Sequence, residues 1–284
     1  QDVLSSRRCL EALGCSIVDS GDKVFVHGLG FHGFRQVSGT LDCGNSGTTM
    51  RLLMGVLSGQ NFISELSGDA SLSKRPMKRV ASPLSRMGAV ISLRENEFPP
   101  VKISGTRSLK ALSLRLDVPS AQVKSAILLA GLLASGTTTI EDPFMTRDHS
   151  ERMITFLSQG KALDIDGGKR ILNPEPLISN KALTIPGDIS SAAFFAAAAT
   201  LVPGSSLVLE RVGLNPTRMG FFYALESMGG KWKILNQGIN GREPVGDIEV
   251  KASALHGIVL QAHEIPMLVD EIPLLAILAS QAQG

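Results

Sequence analysis

Apolar positions along this chain follow a pattern that recurs. Four helix-like stretches each stop at a glycine and pass into an apolar or β-branched strand. They are Cys9-Leu-Glu-Ala-Leu-Gly14-Cys-Ser-Ile17, Pro83-Leu-Ser-Arg-Met-Gly88-Ala-Val-Ile91, Phe156-Leu-Ser-Gln-Gly160-Lys-Ala-Leu-Asp-Ile165 and Ala224-Leu-Glu-Ser-Met-Gly229-Gly-Lys-Trp232. Glycine just past a helix is the common stop. A second pattern interleaves with the first. A polar loop of small residues opens an apolar helix, which ends at glycine before another strand. Its copies span 45–59, 120–136, 188–204 and 270–284. In three copies an arginine follows the next strand: Arg75, Arg147 and Arg218.

The unit is thus about 70 residues, too long for a solenoid repeat and suited to α/β units that pack a sheet on buried helices. The runs 126–133 and 192–199 are apolar all round, and such helices belong inside, with sheet around them. Gly167-Gly168 predicts a hairpin turn, and Pro174-Glu175-Pro176 a break. A domain junction is expected at 180–186. That gives a first domain over 1–180, with three units of which the first lacks its start. A second domain over 181–284 holds about one and a half units. The repeat reads as cut at both ends.

Composition narrows the function classes. Hydrophobic residues make up 43% and charged residues 19% of 284, enough for a sizeable core. A net charge of +2 and few aromatics argue against nucleic acid as a partner. No apolar run reaches membrane-spanning length, and no signal peptide is visible, so a cytoplasmic protein is expected. Cys9, Cys15 and Cys43 show no metal spacing and fit a reducing compartment.

The candidate chemistry sits at helix starts. Asp42-Cys43-Gly44-Asn45-Ser46-Gly47-Thr48-Thr49-Met50-Arg51 reads as a tight loop opening into a buried helix. Free amides and the helix dipole there favour an anion, although a plain capped helix has the same look. Lys74-Arg75-Pro76-Met77-Lys78-Arg79 is either a solvated basic loop or an anion clamp, and Pro76 fixes the backbone beside Arg75. Ser120 can cap a helix. Gln122 and Lys124 are polar at the mouth of an otherwise apolar one, a costly choice without partners. His149, in Thr146-Arg147-Asp148-His149, is more often structural in such a setting. Asp188 can cap the helix that follows it. Asp270 and Glu271 lie between apolar residues, where a partly desolvated carboxylate can act as a base. If the units are related by rotation, the helix starts converge on one anionic ligand.

Taken together these motifs resemble the 5-enolpyruvylshikimate-3-phosphate synthase family. The matches run in family order: Gly-Asn-Ser-Gly-Thr-Thr-Met-Arg, Gly-Asp-Ala-Ser-Leu-Ser-Lys-Arg-Pro-Met, Ser-Ala-Gln-Val-Lys-Ser-Ala, Thr-Arg-Asp-His, Ile-Pro-Gly-Asp-Ile-Ser-Ser-Ala, Asn-Pro-Thr-Arg and Asp-Glu-Ile-Pro. Lys-Arg-Pro-Met and Thr-Arg-Asp-His look like the class II bacterial branch, often associated with glyphosate tolerance. The resemblance implies an inside-out α/β barrel of two domains and six units, the second domain incomplete here. It implies transfer of enolpyruvyl from phosphoenolpyruvate to the 5-hydroxyl of shikimate 3-phosphate, with loss of phosphate after a tetrahedral intermediate. No metal or organic cofactor is implied.

Carried over by position, Ser120, Ala121 through its backbone, Gln122 and Arg147 would hold shikimate 3-phosphate. Asn45, Ser46, Gly47 and Arg75 would form the phosphoenolpyruvate pocket, with Gln122 bridging the two substrates and Asp270 the base or proton shuttle at the 5-hydroxyl. Gly47 stands where some glyphosate-tolerant members carry alanine. The family's opening Pro-Gly-Asp-Lys-Ser segment is absent, as are its later lysine-, glutamate- and arginine-bearing segments. The isolated chain is therefore expected to show little activity. It would be a monomer or would pair with a chain that supplies the missing units. Two other readings stand beside this one: a non-catalytic substrate-binding or assembly half, and the related transferase acting on UDP-N-acetylglucosamine.

Overall fold

The computed structural model describes residues 2–177 and 182–284. The backbone separates into two compact units, Gln1–Pro143 with Ser158–Leu177, and Phe144–Leu157 with Ile178–Gly284. The expected junction at 180–186 starts in residues outside the described ones. The segment Phe144–Leu157 groups with the second unit, so the chain visits that unit once before its main crossing.

The first unit opens with α1 (Asp2–Ala12), β1 (Ser16–Ser20), β2 (Lys23–His27) and β3 (Thr40–Asp42). It goes on through α2 (Gly47–Ser58), β4 (Ile63–Ser67), a 3-10 turn at Leu72–Lys74, α3 (Lys78–Arg86), β5 (Val90–Arg94) and β6 (Phe98–Ser104). Next come β7 (Ser113–Arg115), α4 (Ala121–Gly131) and β8 (Thr138–Glu141). The helix α5 (His149–Leu157) belongs to the second unit, and β9 (Leu163–Asp166) and β10 (Lys169–Leu172) return to the first. The second unit continues with α6 (Ile189–Leu201), β11 (Ser206–Gly213), α7 (Gly220–Ser227), β12 (Lys231–Asn240), β13 (Glu243–Lys251) and α8 (Ile272–Ala279).

The repeat in sequence is a repeat in topology. The first unit's two four-stranded sheets have the orders β3-β4-β6-β5 and β7-β8-β10-β9. In each the first pair is parallel and the others antiparallel. A parallel pair needs a crossover, which α2 and α4 supply. The second unit's sheet is β11-β13-β12, and a parallel bridge from Gly187 to Val212 stands where the first strand would pair. The stop glycines Gly14, Gly88, Gly160 and Gly229 all take positive φ, between +82° and +112°. The β9–β10 hairpin turns at Gly167-Gly168 as expected.

In the first unit α2 and α4 are largely buried. The strand β6 alternates buried and exposed positions, so one face of its sheet meets solvent. Helix α4 is buried along nearly its whole length, as its composition predicts. It packs on α2 at Gly55, where a Cβ would come within 2.4 Å of the Ala126 carbonyl oxygen. Among the described residues no sheet closes on itself into a barrel. Helix α6 corrects the expectation of complete burial. Ala192, Ala193, Ala196 and Ala197 face a core with Phe222 and Ile248, while Phe194 and Phe195 are 61% and 63% exposed. The helix packs by size: its alanines admit the close approach of the sheet, and the larger rings fall on the opposite face. A run with no polar residue carries no mark of which side is outer.

Candidate functional site

In the first unit the amino ends of two helices meet. Ser46 caps α2: its hydroxyl accepts the Thr49 amide at 3.1 Å. Ser120 caps α4 by accepting the Val123 amide at 3.3 Å. One side chain ties the two starts together, since Gln122 Nε2 donates to Thr48 Oγ1 at 2.9 Å. Its oxygen accepts from Arg51 Nη1 at 2.5 Å. Arg51 also donates to the Pro76 carbonyl oxygen at 3.3 Å, which draws the basic loop to the same place.

Arg75 is held by a chain of bonds. Its Nη2 donates to Asn45 Oδ1 at 2.7 Å, and Asn45 Nδ2 donates to Asp69 Oδ2 at 2.7 Å. The other oxygen of Asp69 accepts the amides of Ser71 and Leu72 and so starts the 3-10 turn before Arg75. The Leu72 amide and Asn45, with lesser help from Ser71 and Arg75, hold the Asp69 carboxyl below its usual range. Gly47 completes the group. A Cβ there would lie 2.9 Å from Arg51 Nη1 and 3.4 Å from Arg75 Nη1, so both guanidinium groups close over the first turn of α2. Burial pulls the Arg51 pKa down, and the charges of Arg75 and Arg79 add to that.

Asn45, Gly47, Arg75 and Gln122 are therefore brought together, with Ala121 at the same helix start. Ser46 departs from its expected place. It is 1% exposed, its hydroxyl is used as the cap, and its amide donates to the Cys43 carbonyl oxygen. Its side chain builds the loop.

The second unit holds another cluster of helix starts. Arg147 Nη2 donates to Asp270 Oδ2 at 2.5 Å. Asp188 caps α6, accepting the Ser191 amide at 2.9 Å, and Arg218 Nη2 reaches Asp188 Oδ1 at 3.4 Å. Ser190 Oγ accepts from Arg218 and donates to Glu271 Oε1. Burial lowers the Arg218 pKa, and Arg147 adds repulsion, against the pull of Asp188, Glu271 and Asp270. Asp270 is 53% exposed at its side chain, whereas Glu271 is 3% exposed. The desolvated carboxylate of the pair is Glu271. His149 is 49% exposed at its side chain, and its Nδ1 pairs with Glu243 Oε1 at 2.8 Å.

The sequence profile of the family EPSP synthase (3-phosphoshikimate 1-carboxyvinyltransferase) matches residues 1–284. The chain belongs to this family. The 3-phosphoshikimate 1-carboxyvinyltransferases of Brevibacillus brevis and Bacillus subtilis are 44% and 45% identical to it, over the whole chain and 66% of each relative. The EPSP synthase of Acinetobacter baumannii superposes with a TM-score of 0.87 at 44% identity, over 99% of this chain and 63% of that one. The enolpyruvyl transferase NikO of Streptomyces tendae shares the fold at a TM-score of 0.76 and 18% identity. The chain thus spans just under two thirds of the length of its EPSP synthase relatives.

Sequence reasoning did not single out Arg51 or Asp69, and of two adjacent carboxylates it favoured Asp270 over Glu271. Arg51 closes the opening motif and lies one helical turn after Gly47, a spacing that puts both on one face. Asp69 orients Asn45, and its signal is the Asp-x-Ser start of the turn before Arg75. Glu271 stood next to the favoured carboxylate, and adjacency does not say which of two neighbours points inward.

Proposed function

We propose that this chain carries part of an enolpyruvyl transferase that moves enolpyruvyl from phosphoenolpyruvate to the 5-hydroxyl of shikimate 3-phosphate. The observation that carries the reading is the Gln122–Thr48 bond. It joins two helix starts under Arg51 and Arg75, the chemistry a small polyanion requires. In the first unit Arg75, Arg51 and the start of α2 at Gly47 neutralise phosphoenolpyruvate. Asn45 holds Arg75 in place, and Gln122, beside Ser120 and Ala121, offers its amide to either substrate. Charge that develops on the tetrahedral intermediate then meets preorganised donors.

In the second unit Arg147 binds shikimate 3-phosphate and Asp270 moves the proton at the 5-hydroxyl. The Arg147–Asp270 pair gives this a sequence of events. A substrate phosphate that takes over Arg147 releases Asp270, which is then free to accept a proton. We place the protein in the cytoplasm. No helix among the described residues is long and apolar enough to cross a membrane.

Titration calorimetry with shikimate 3-phosphate and with phosphoenolpyruvate tests the reading. Binding of shikimate 3-phosphate that is lost in Arg147→Ala and Gln122→Ala is expected. Binding of UDP-N-acetylglucosamine in place of shikimate 3-phosphate would overturn it. Mixing with a chain that carries the family's missing segments separates a half-enzyme from a self-sufficient one by the phosphate released.

A further inference from the structure

Between α3 and the stretch from β7 to α4 lies a hollow of about 330 Å3, within the first unit. Its floor is apolar: Pro83, Leu116 and Val123 are buried. Its rim is cationic. Arg79 and Arg86 stand two turns apart on the same face of α3, and Arg115 lies opposite on β7. Among the described residues neither Arg79 nor Arg86 has a carboxylate or carbonyl partner, and Arg115 comes only within 3.8 Å of Glu141. Asp117 is the one carboxylate in the lining. Three guanidinium groups round one hollow is a local excess in a chain whose net charge is +2.

We propose that this hollow is a second binding site, for a small organic anion with a compact apolar body. The arginines take the carboxylate, which the guanidinium fork matches in shape. The ring or alkyl part covers Pro83, Leu116 and Val123. A volume near 330 Å3 is at the small end for ligand cavities, so the occupant is compact. The site adjoins the Gly47–Arg75 group at Arg79, whose charge also acts on Arg51, but its apolar floor, Arg86 and Arg115 lie outside that group. It shares only Ser120 with the residues given to substrates above, and it does not rest on that assignment. An occupant bears on the segment from Asp117 to Ser120, which leads into the cap of α4.

Benzoate is a suitable probe, with benzyl alcohol and inorganic phosphate as parallel arms. Carbon-13 methyl signals of Leu114, Leu116, Val118 and Val123 report on the hollow itself. Saturable shifts of these four with benzoate are expected, at least about tenfold tighter than with either control, a difference of about 1.4 kcal/mol. Arg86→Ala and Arg115→Ala, both at exposed positions, should each weaken benzoate by about tenfold, again about 1.4 kcal/mol, while Arg75→Ala leaves it unchanged. No saturable shift at these methyls would overturn the proposal. So would phosphate binding as well as benzoate, or equal affinity in both arginine variants. Loss of benzoate binding in Arg75→Ala alone would assign the anion to the first site and overturn it as well.

Discussion

Gly47 sits under two guanidinium groups that repel each other. Arg51 and Arg75 are drawn together by Gln122 and Asn45, and among the described residues no carboxylate bonds directly to either, Asp69 reaching Arg75 only through Asn45. Like charges held this close are costly until an anion arrives, and the bound state repays that cost. Gly47→Ala should therefore push the far end of Arg51 outward by a few tenths of an ångström, since its Cβ would meet Arg51 Nη1 at 2.9 Å, and set a methyl against Arg75 Nη1 at 3.4 Å. Flexible tips can move, so the fold should hold. Weaker phosphoenolpyruvate binding and weaker glyphosate binding are expected, with an unchanged melting temperature. Equal affinities in calorimetry would show that the two arginines do not close over this turn. Arg51→Ala removes a charged donor and leaves the Gln122 oxygen free to turn. A charged hydrogen bond is worth about 1.5–3 kcal/mol, so phosphoenolpyruvate should bind at least about tenfold more weakly. An Arg51→Ala chain that binds it as well as the parent would remove Arg51 from the site.

At the scale of elements, α4 is fixed from inside as well as capped. Lys124 and Asp142 form an ion pair at 2.9 Å with both side chains 0% exposed. The pair ties the first turn of α4 to the end of β8, directly behind Gln122. Removing one partner of a buried pair leaves the other charge stranded, at a cost of about 3–5 kcal/mol. Lys124→Met should lower stability by that order in a denaturant titration. A Lys124→Met chain as stable as the parent would show that the pair contributes nothing. Lys124 is also a lesson in what sequence can carry. Its place in an apolar helix announced a partner, but Asp142 lies 18 positions on and nothing local names it. Helix starts, stop glycines and the repeat were legible because capping and positive φ are local demands. Which face of α6 turns outward was not, because Ala192, Phe194 and Phe195 are equally apolar and only the approach of the sheet distinguishes them.

Across the whole molecule, acid should act through carboxylates held in both units. Asp69 in the first unit is kept low by the Leu72 amide and Asn45. In the second, burial pushes Asp148 up, but bonds from Arg152 and Asn215 outweigh it and leave the carboxyl below its ordinary value of 3.8. Burial likewise raises Asp188, and the Ser191 hydroxyl and amide, with Arg218, more than reverse it. A carboxyl whose folded pKa is depressed binds a proton more readily in the unfolded chain. Its contribution is therefore complete above the unfolded value and is lost as pH falls through the folded one. Stability should be flat from about pH 7 to about pH 5 and fall steeply below about pH 4. Melting temperatures across that range check the shape of the curve. Asp148→Asn should be less stable than the parent at neutral pH and lose less on acidification, since one of the titrating groups is gone. A parent chain whose melting temperature does not change between about pH 5 and about pH 3 would mean that these carboxylates are no better bonded in the fold than in the unfolded chain.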